Sequence, residues 1–295
     1  MARDVIALSY PKGARLPLVY DSPHSGSDYP DDFRHAIDRM VLRRAEDAHI
    51  DELYGHVVEQ GAVLLHALFP RSYIDVNRAD DDLDLSLLAD PWPHPVAASR
   101  KAASGKGLVW RQVGTDGDIY TGPLPSAEIA ARIDRCWRPY HRQVAQLLDD
   151  AYTRCGVVYH VNCHSMPSRG DATTEDGAVN RPDFIVGDRD GTTCERGFTE
   201  LIVETIRGLG YSCAVNDPYK GVELVRRYSR PSAGRHSVQI ELNRARYMNE
   251  ITIEKNTEYG RTAAALRRLT DAIAAYVAGR AGGRSSARQQ RGTPD

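Results

Sequence analysis

Three polar clusters follow apolar runs along this chain, and their residue types are those that bind metal ions and move protons. Asp21-Ser22-Pro23-His24-Ser25-Gly26 is the first: an apolar run enters a turn fixed by proline and glycine, which projects an imidazole. His160-Val161-Asn162-Cys163-His164-Ser165-Met166-Pro167 repeats the pattern of apolar run, histidine, serine and proline turn. One histidine in such a place is usually structural. Two in matching places point to a metal, because zinc favours imidazole and catalytic zinc sites take three protein ligands and leave a position open. If 157–163 is a strand, positions 160, 162 and 164 share a face, which puts His160 behind His164, in the core or supporting it. The third cluster, Gln239-Ile240-Glu241-Leu242-Asn243-Arg244, sets a carboxylate among apolar neighbours. Burial of a carboxylate is costly unless it is paired or used. Desolvation raises its pKa towards neutrality, as a general base requires. The rival reading is a structural ion pair with a nearby arginine.

The histidines need a third donor. The stretch from Arg44 to Tyr54 offers Glu46, Asp47, Asp51 and Glu52 on a segment read as helical from the apolar spacing of Ile50, Leu53, Tyr54 and Val57. Most of these carboxylates belong to a solvated face, and one or two face the site. Asp75-Val76-Asn77-Arg78 ends another apolar run, and an arginine there can hold a substrate carboxylate through two parallel hydrogen bonds. Arg169, Arg244 and Lys220, in the turn Asn216-Asp217-Pro218-Tyr219-Lys220-Gly221, are further candidates for an anionic ligand. Each alone reads as an ordinary surface charge.

These clusters must be held by regular elements. Apolar runs at 16–21, 62–68, 73–77, 157–163, 183–187 and 237–242 have the length and composition of buried strands. Helical spacing follows Ser126, through Ile129, Ile133, Trp137, Tyr140, Val144 and Leu147, with a kink expected at Pro139 and an end at Gly156. Further helices are predicted at 195–209 and 257–278. Alternating strands and helices give an α/β fold, a three-layer mixed sheet with helices on both faces, in one domain over 1–278. Open sheets of this kind bind ligands beyond the carboxyl ends of their strands. The stretch 83–122, rich in proline and weakly periodic, is read as an irregular insertion or active-site flap, and 279–295 as a disordered tail.

Composition narrows the functions. Of 295 residues, 41% are hydrophobic and 26% charged, an ordinary globular balance. With 38 basic against 40 acidic residues the net charge is −2, which argues against nucleic acid as a partner. No apolar run nears the ~18 residues of a membrane span, and the first residues lack the apolar core of a signal peptide. Five scattered cysteines, none in Cys-x-x-Cys spacing, fit reduced thiols in the cytoplasm.

Taken in order, the motifs resemble the N-formylglutamate amidohydrolase family. The resemblance rests on Ser22-Pro23-His24-Ser25-Gly26, Glu46-Asp47 before Ile50-Asp51-Glu52-Leu53-Tyr54, Asp75-Val76-Asn77-Arg78, Ile119-Tyr120-Thr121-Gly122-Pro123-Leu124, Asn162-Cys163-His164-Ser165-Met166-Pro167, Pro218-Tyr219-Lys220-Gly221 and Gln239 to Arg244 with Tyr247-Met248. It implies a fold like that of the zinc carboxypeptidases. It also implies hydrolysis of N-formyl-L-glutamate to formate and L-glutamate, in histidine degradation. Carried over, His24 and His164 would be ligands of one zinc ion, Glu241 the general base, and Asn77 with Arg78 the pair that binds a substrate carboxylate. Carboxypeptidase-type sites have a glutamate three residues after the first histidine. Ser27 stands there, so the third ligand is expected to be Asp47, with Glu46 as the alternate. Asn162-Cys163 stands where an aspartate is expected near His164. Rival readings are a deacylase of another N-acyl amino acid, a hydrolase using Cys163, and a metabolite-binding relative without catalysis.

Overall fold

The computed structural model describes residues 4–290 except 115, 173 and 175, and for 283–290 the backbone alone. Seven strands form one mixed sheet: β1 (Ile6–Ser9), β2 (Leu18–Ser22), β3 (Val63–Ala67), β4 (Val158–Met166), β5 (Phe184–Gly187), β6 (Cys213–Val215) and β7 (Arg235–Asn243). Their order is β1-β3-β2-β4-β7-β5-β6. The four central strands β3, β2, β4 and β7 are parallel, β1 and β5 run against their neighbours β3 and β7, and β6 runs with β5. The helices are α1 (Arg39–Arg43), α2 (Ile50–Tyr54), α3 (Arg100–Ala103), α4 (Ser126–Arg132), α5 (Arg138–Cys155), α6 (Arg196–Gly208), α7 (Glu223–Tyr228) and α8 (Tyr259–Gln290).

Alternation along the strands builds two cores, one on each face. Tyr159, Val161 and Cys163 of β4 and Val238, Ile240 and Leu242 of β7 pack with Phe198 and Ile202 of α6 and Leu266, Leu269 and Ile273 of α8. Val19, Val63, Leu65 and Val158 face the other way, against Tyr140, Val144 and Leu148 of α5. The sheet is therefore covered on both faces, which gives the three-layer α/β architecture. His160, Asn162 and His164 share the parity of Val158 and lie on the α5 side.

Several local features follow from the residues. The helix that starts at Ser126 is interrupted by a π turn at Ile133–Trp137, directly before Pro139. Pro139 has no N–H to give residue 135, so the ladder slips there and resumes as α5. Gly156 closes α5 at φ 67°, donating its N–H to Tyr152 O at 2.7 Å.

Three expectations change. The run 73–77 is not a strand. Pro70 starts a turn, with Tyr73 N–H on Pro70 O at 3.0 Å and Arg78 N–H on Asp75 O at 3.1 Å, while Asp75 N–H finds Leu108 O of the insertion at 2.7 Å. Its apolar residues Tyr73, Ile74 and Val76 fill the core from an irregular backbone. The segment expected to be helical from Arg44 becomes a helix only at Ile50, because Asp47 N–H is taken by His24 O at 2.9 Å. Finally, α8 continues past 278 to Gln290, into the segment read as a disordered tail; 291–295 lie outside the described residues. The short edge strands β1 and β6 were not anticipated. Among its described residues the 83–122 insertion carries only α3 and a short turn Leu85–Leu87, yet it buries Leu83, Leu108, Val109, Trp110 and Ile119 in the core. Among the described residues no helix is long and apolar enough to cross a membrane.

Candidate active site

The parallel strands end on one side of the sheet, and the polar clusters meet there. His24 stands two residues beyond β2, and His164 lies on β4 opposite Glu241 of β7. Asp47 reaches the same point from the loop before α2. His24, Asp47 and His164 are all buried, and one ligand atom from each lies within 4.8 Å of the others. Asp47 Oδ2 is 3.0 Å from His164 Nδ1 and 3.4 Å from His24 Nδ1. Gly26 allows the His24 turn to lie against the exit of β3: a Cβ there would meet Leu68 C at 2.4 Å and Phe69 O at 2.5 Å.

The hydrogen bonds behind the histidines set which nitrogen faces the site. His24 Nε2–H donates to Asp75 Oδ1 at 2.7 Å, which leaves Nδ1 with its lone pair. That Nδ1 is buried and has no hydrogen-bond partner. Asp75 also takes Asn77 N–H, the Arg71 guanidinium and Trp110 Nε1–H. Burial alone would raise its pKa, but the contact with His24 and the charges of Arg71 and Arg78 hold it well below the usual carboxylate range. Asp47 is treated alike: burial is outweighed by its contacts with His164 and His24 and by the charge of Arg71, which lower its pKa. Two imidazole nitrogens and a carboxylate oxygen, converging with one nitrogen unpartnered, form a donor set suited to a divalent cation such as zinc.

Glu46, the alternate ligand, faces away. Its oxygens accept from Tyr29 OH at 2.8 Å and Arg43 Nε at 3.2 Å. Glu241 is 8% exposed, and its Oε1 accepts from Gln239 Nε2 at 2.8 Å. Burial pushes its pKa up and Asp47 adds to this, against the smaller opposing pull of His164, Arg71 and Arg244. A carboxyl raised in this way beside the histidine group is placed to act as a general base.

The site opens into a cleft of about 560 Å³ whose lining includes His24, Asn77, Arg78, His164, Glu241 and Arg244. Of the residues expected at an anionic ligand, Asn77 and Arg78 line it. Lys220 lies at its rim, with Nζ on Asp190 Oδ2 at 2.9 Å. Arg244 turns its guanidinium inwards, to Asp47 Oδ1 at 2.9 Å, Ser165 Oγ at 3.1 Å and Arg44 O at 2.7 Å. Arg169 is exposed and outside the lining, since the chain turns away after Pro167. Sequence reading missed Arg71, Lys101, Lys106 and Arg181, which also line the cleft. Arg71 had a usable signal: it follows Pro70 at the end of the 62–68 run, as the histidines follow theirs. Lys101 and Lys106 come from the insertion, which carries no such signal. Cys163 points into the core on the opposite face of β4, and burial first, then the charge of Asp21, raises its thiol well above the ordinary value. A Cys163–His164 nucleophile pair is geometrically excluded.

A covered mixed sheet that gathers a buried histidine–carboxylate group and a raised glutamate at its strand ends carries the groups of a hydrolytic enzyme's site. The comparisons with known proteins are specific. The sequence model of the N-formylglutamate amidohydrolase family matches residues 16–248. N-formylglutamate deformylase of Pseudomonas putida is 30% identical over 250 residues, covering 82% of this chain and 85% of that protein. The deformylase of Pseudomonas aeruginosa is equally similar, at 30% over 82% of this chain and 86% of its own. The crystal structure of N-formylglutamate amidohydrolase from Ralstonia eutropha JMP134 superposes with a TM-score of 0.89 at 44% identity, covering 94% of this chain and 99% of that one. The chain belongs to the N-formylglutamate amidohydrolase family and is a hydrolase.

Proposed function

We propose that this protein hydrolyses N-formyl-L-glutamate to formate and L-glutamate, with one zinc ion held by His24 Nδ1, His164 Nδ1 and Asp47. The observation that carries the metal reading is the orphaned His24 Nδ1, buried and aimed at Asp47 and His164 while Asp75 holds the opposite ring nitrogen. A divalent ion held by these residues would supply Lewis acidity for the formyl carbonyl and the attacking water. The chain's own residues do the rest. Glu241 takes the proton of the attacking water and delivers it to the leaving amine, and its raised affinity for a proton suits both steps. The cationic lining, with Arg78 and Asn77 inside and Lys220 at the rim, orients a substrate that carries two carboxylates. A role in histidine degradation, in the reducing cytoplasm, fits this substrate and five free cysteines.

The test pairs metal analysis with formate release. The expected result is about one equivalent of zinc, turnover abolished by a chelator and restored by zinc, and preference for the N-formyl over the N-acetyl and N-succinyl substrates. Chelator-resistant turnover would reject the metal reading. Preference for a larger acyl group would reject the substrate.

A further inference from the structure

Behind His164 lies a chain of buried polar groups that the proposed chemistry does not use. Asn162 Oδ1 stands 2.7 Å from His164 Nε2, and Asn162 Nδ2 donates to Asp21 Oδ1 at 2.8 Å. The same Asp21 oxygen is 2.8 Å from His160 Nε2, and its other oxygen accepts from Tyr140 OH at 2.7 Å. His160 Nδ1 contacts Ser237 Oγ at 2.8 Å. Asp21, His160 and Asn162 are at most 1% exposed. Asp21 stays ionised: burial works against it, but the charge and hydrogen bond of His160, with Tyr140 and Asn162, lower its pKa.

We infer that Asn162, oriented by the Asp21 carboxylate, is the positioning residue that sets the tautomer of His164 and thereby its affinity for the metal. The inference rests on the metal reading above. Two asparagines compete for His164 Nε2. Asn77 Nδ2 lies 3.1 Å from it, and Asn77 is held in that orientation because its Oδ1 accepts Leu224 N–H at 3.0 Å. If Asn77 donated, Nε2 would carry the lone pair and Nδ1 the proton, which would then point at Asp47 and bar ligation. If Nε2–H donates to Asn162, Nδ1 is free for the ion. The anion behind Asn162 decides between them. Asp21 accepts only, so the Asn162 amide must turn its NH₂ to Asp21 and its oxygen to His164. An amide is the side chain of this length that can donate to one and accept from the other. An aspartate at 162 would set two carboxylates in contact. The two histidines are thus backed differently, His24 by a carboxylate directly and His164 by a carboxylate acting through an amide.

The experiment measures zinc affinity by chelator competition, with thermal melting of the zinc-free protein as the folding control. Asn162→Ala and Asp21→Asn should each weaken zinc by about 10- to 100-fold, the usual effect of removing such a partner. Asn162→Asp, isosteric with the parent, should do no better. The double variant Asp21→Asn/Asn162→Asp exchanges the two groups: the new carboxylate accepts from His164, the new amide donates to it and to His160, and affinity should return to within a few-fold of the parent. Parental affinity in the folded single variants, or no recovery in a folded double variant, would overturn the inference. A parent that binds no zinc would instead fail the metal reading itself. A second measurement needs no variant. Nitrogen shifts of the histidines in the zinc-loaded parent should show a proton on His164 Nε2 and the ion on Nδ1, where Asp47 Oδ2 stands 3.0 Å away; an unprotonated Nε2 would overturn the proposal even if every variant misfolds.

Discussion

Glu241→Gln separates proton transfer from everything else the site does. Glutamine keeps the volume, and its amide oxygen can still accept from Gln239 Nε2, which holds Glu241 Oε1 at 2.8 Å. Asp47 and the histidines are not hydrogen-bonded to this side chain, so zinc content should be unchanged. General base catalysis contributes 10²–10⁴-fold, about 3–5 kcal/mol of barrier, and the loss should fall on kcat with KM nearly unchanged. Because burial raises the Glu241 pKa, the acid limb of kcat/KM should lie above the ~4.3 of an ordinary glutamate and vanish in the variant. Stability should move the other way. A carboxyl with a raised folded pKa binds its proton more tightly in the folded chain. Its favourable contribution exists at low pH and is lost as pH rises through the folded value. Above that pH the buried charge is a cost that glutamine removes, so the zinc-free variant at pH 8 should melt no lower than the parent. Formate release across pH, with melting of the zinc-free proteins, reads both. Turnover within tenfold of the parent, or a loss confined to KM, would refute the assignment of Glu241 as base.

Gly26→Ala should shift the His24 turn, since the new Cβ would meet backbone atoms of Leu68 and Phe69. We expect about 1–3 kcal/mol of destabilisation with weaker zinc binding, and unchanged melting would contradict the packing described. Asp21 and Asp75 have folded pKa values below the ordinary one. Their contribution is full at neutral pH and disappears as pH falls below ~3.9 through those lower values, so urea midpoints should drop steeply in acid; a flat profile from pH 7 to 3 would refute it. Cys163→Ala should keep full turnover and lose about 1 kcal/mol of stability, whereas a tenfold loss of kcat in a folded variant would reopen the thiol mechanism.

The parallel strands were legible because each is a short apolar run flanked by turn residues, and the polar clusters were legible because they sit where those runs stop. The 73–77 run misled for a physical reason. Tyr73, Ile74 and Val76 are as apolar as a strand, but their backbone partner is the insertion, at Leu108 O, and not a neighbouring strand. Asp47 could be nominated but not separated from Glu46, since adjacent residues on a presumed helix differ only in direction. The bond from Asp47 N–H to His24 O, 23 positions away in the chain, decides that direction. The cationic lining was the least legible part. Lys101, on the short helix α3, and Lys106 and Arg181, on irregular segments, owe their place to the path of the chain around them, which leaves no periodic signature.

The sheet order has a consequence for when the site can exist. β7 is the last strand in the chain, yet it lies between β4 and β5, and it carries Glu241. Arg244, just beyond it, ties back to Arg44 O and Asp47. A growing chain that has made everything up to residue 230 has both histidines and Asp47 but a gap in the middle of its sheet. The two halves of that sheet can be joined only by the final insertion, a long-range pairing that makes folding slow. Assembly of the catalytic group is therefore tied to the arrival of β7. A fragment ending before β7 would carry His24, Asp47 and His164 without Glu241 and without a continuous sheet to hold them.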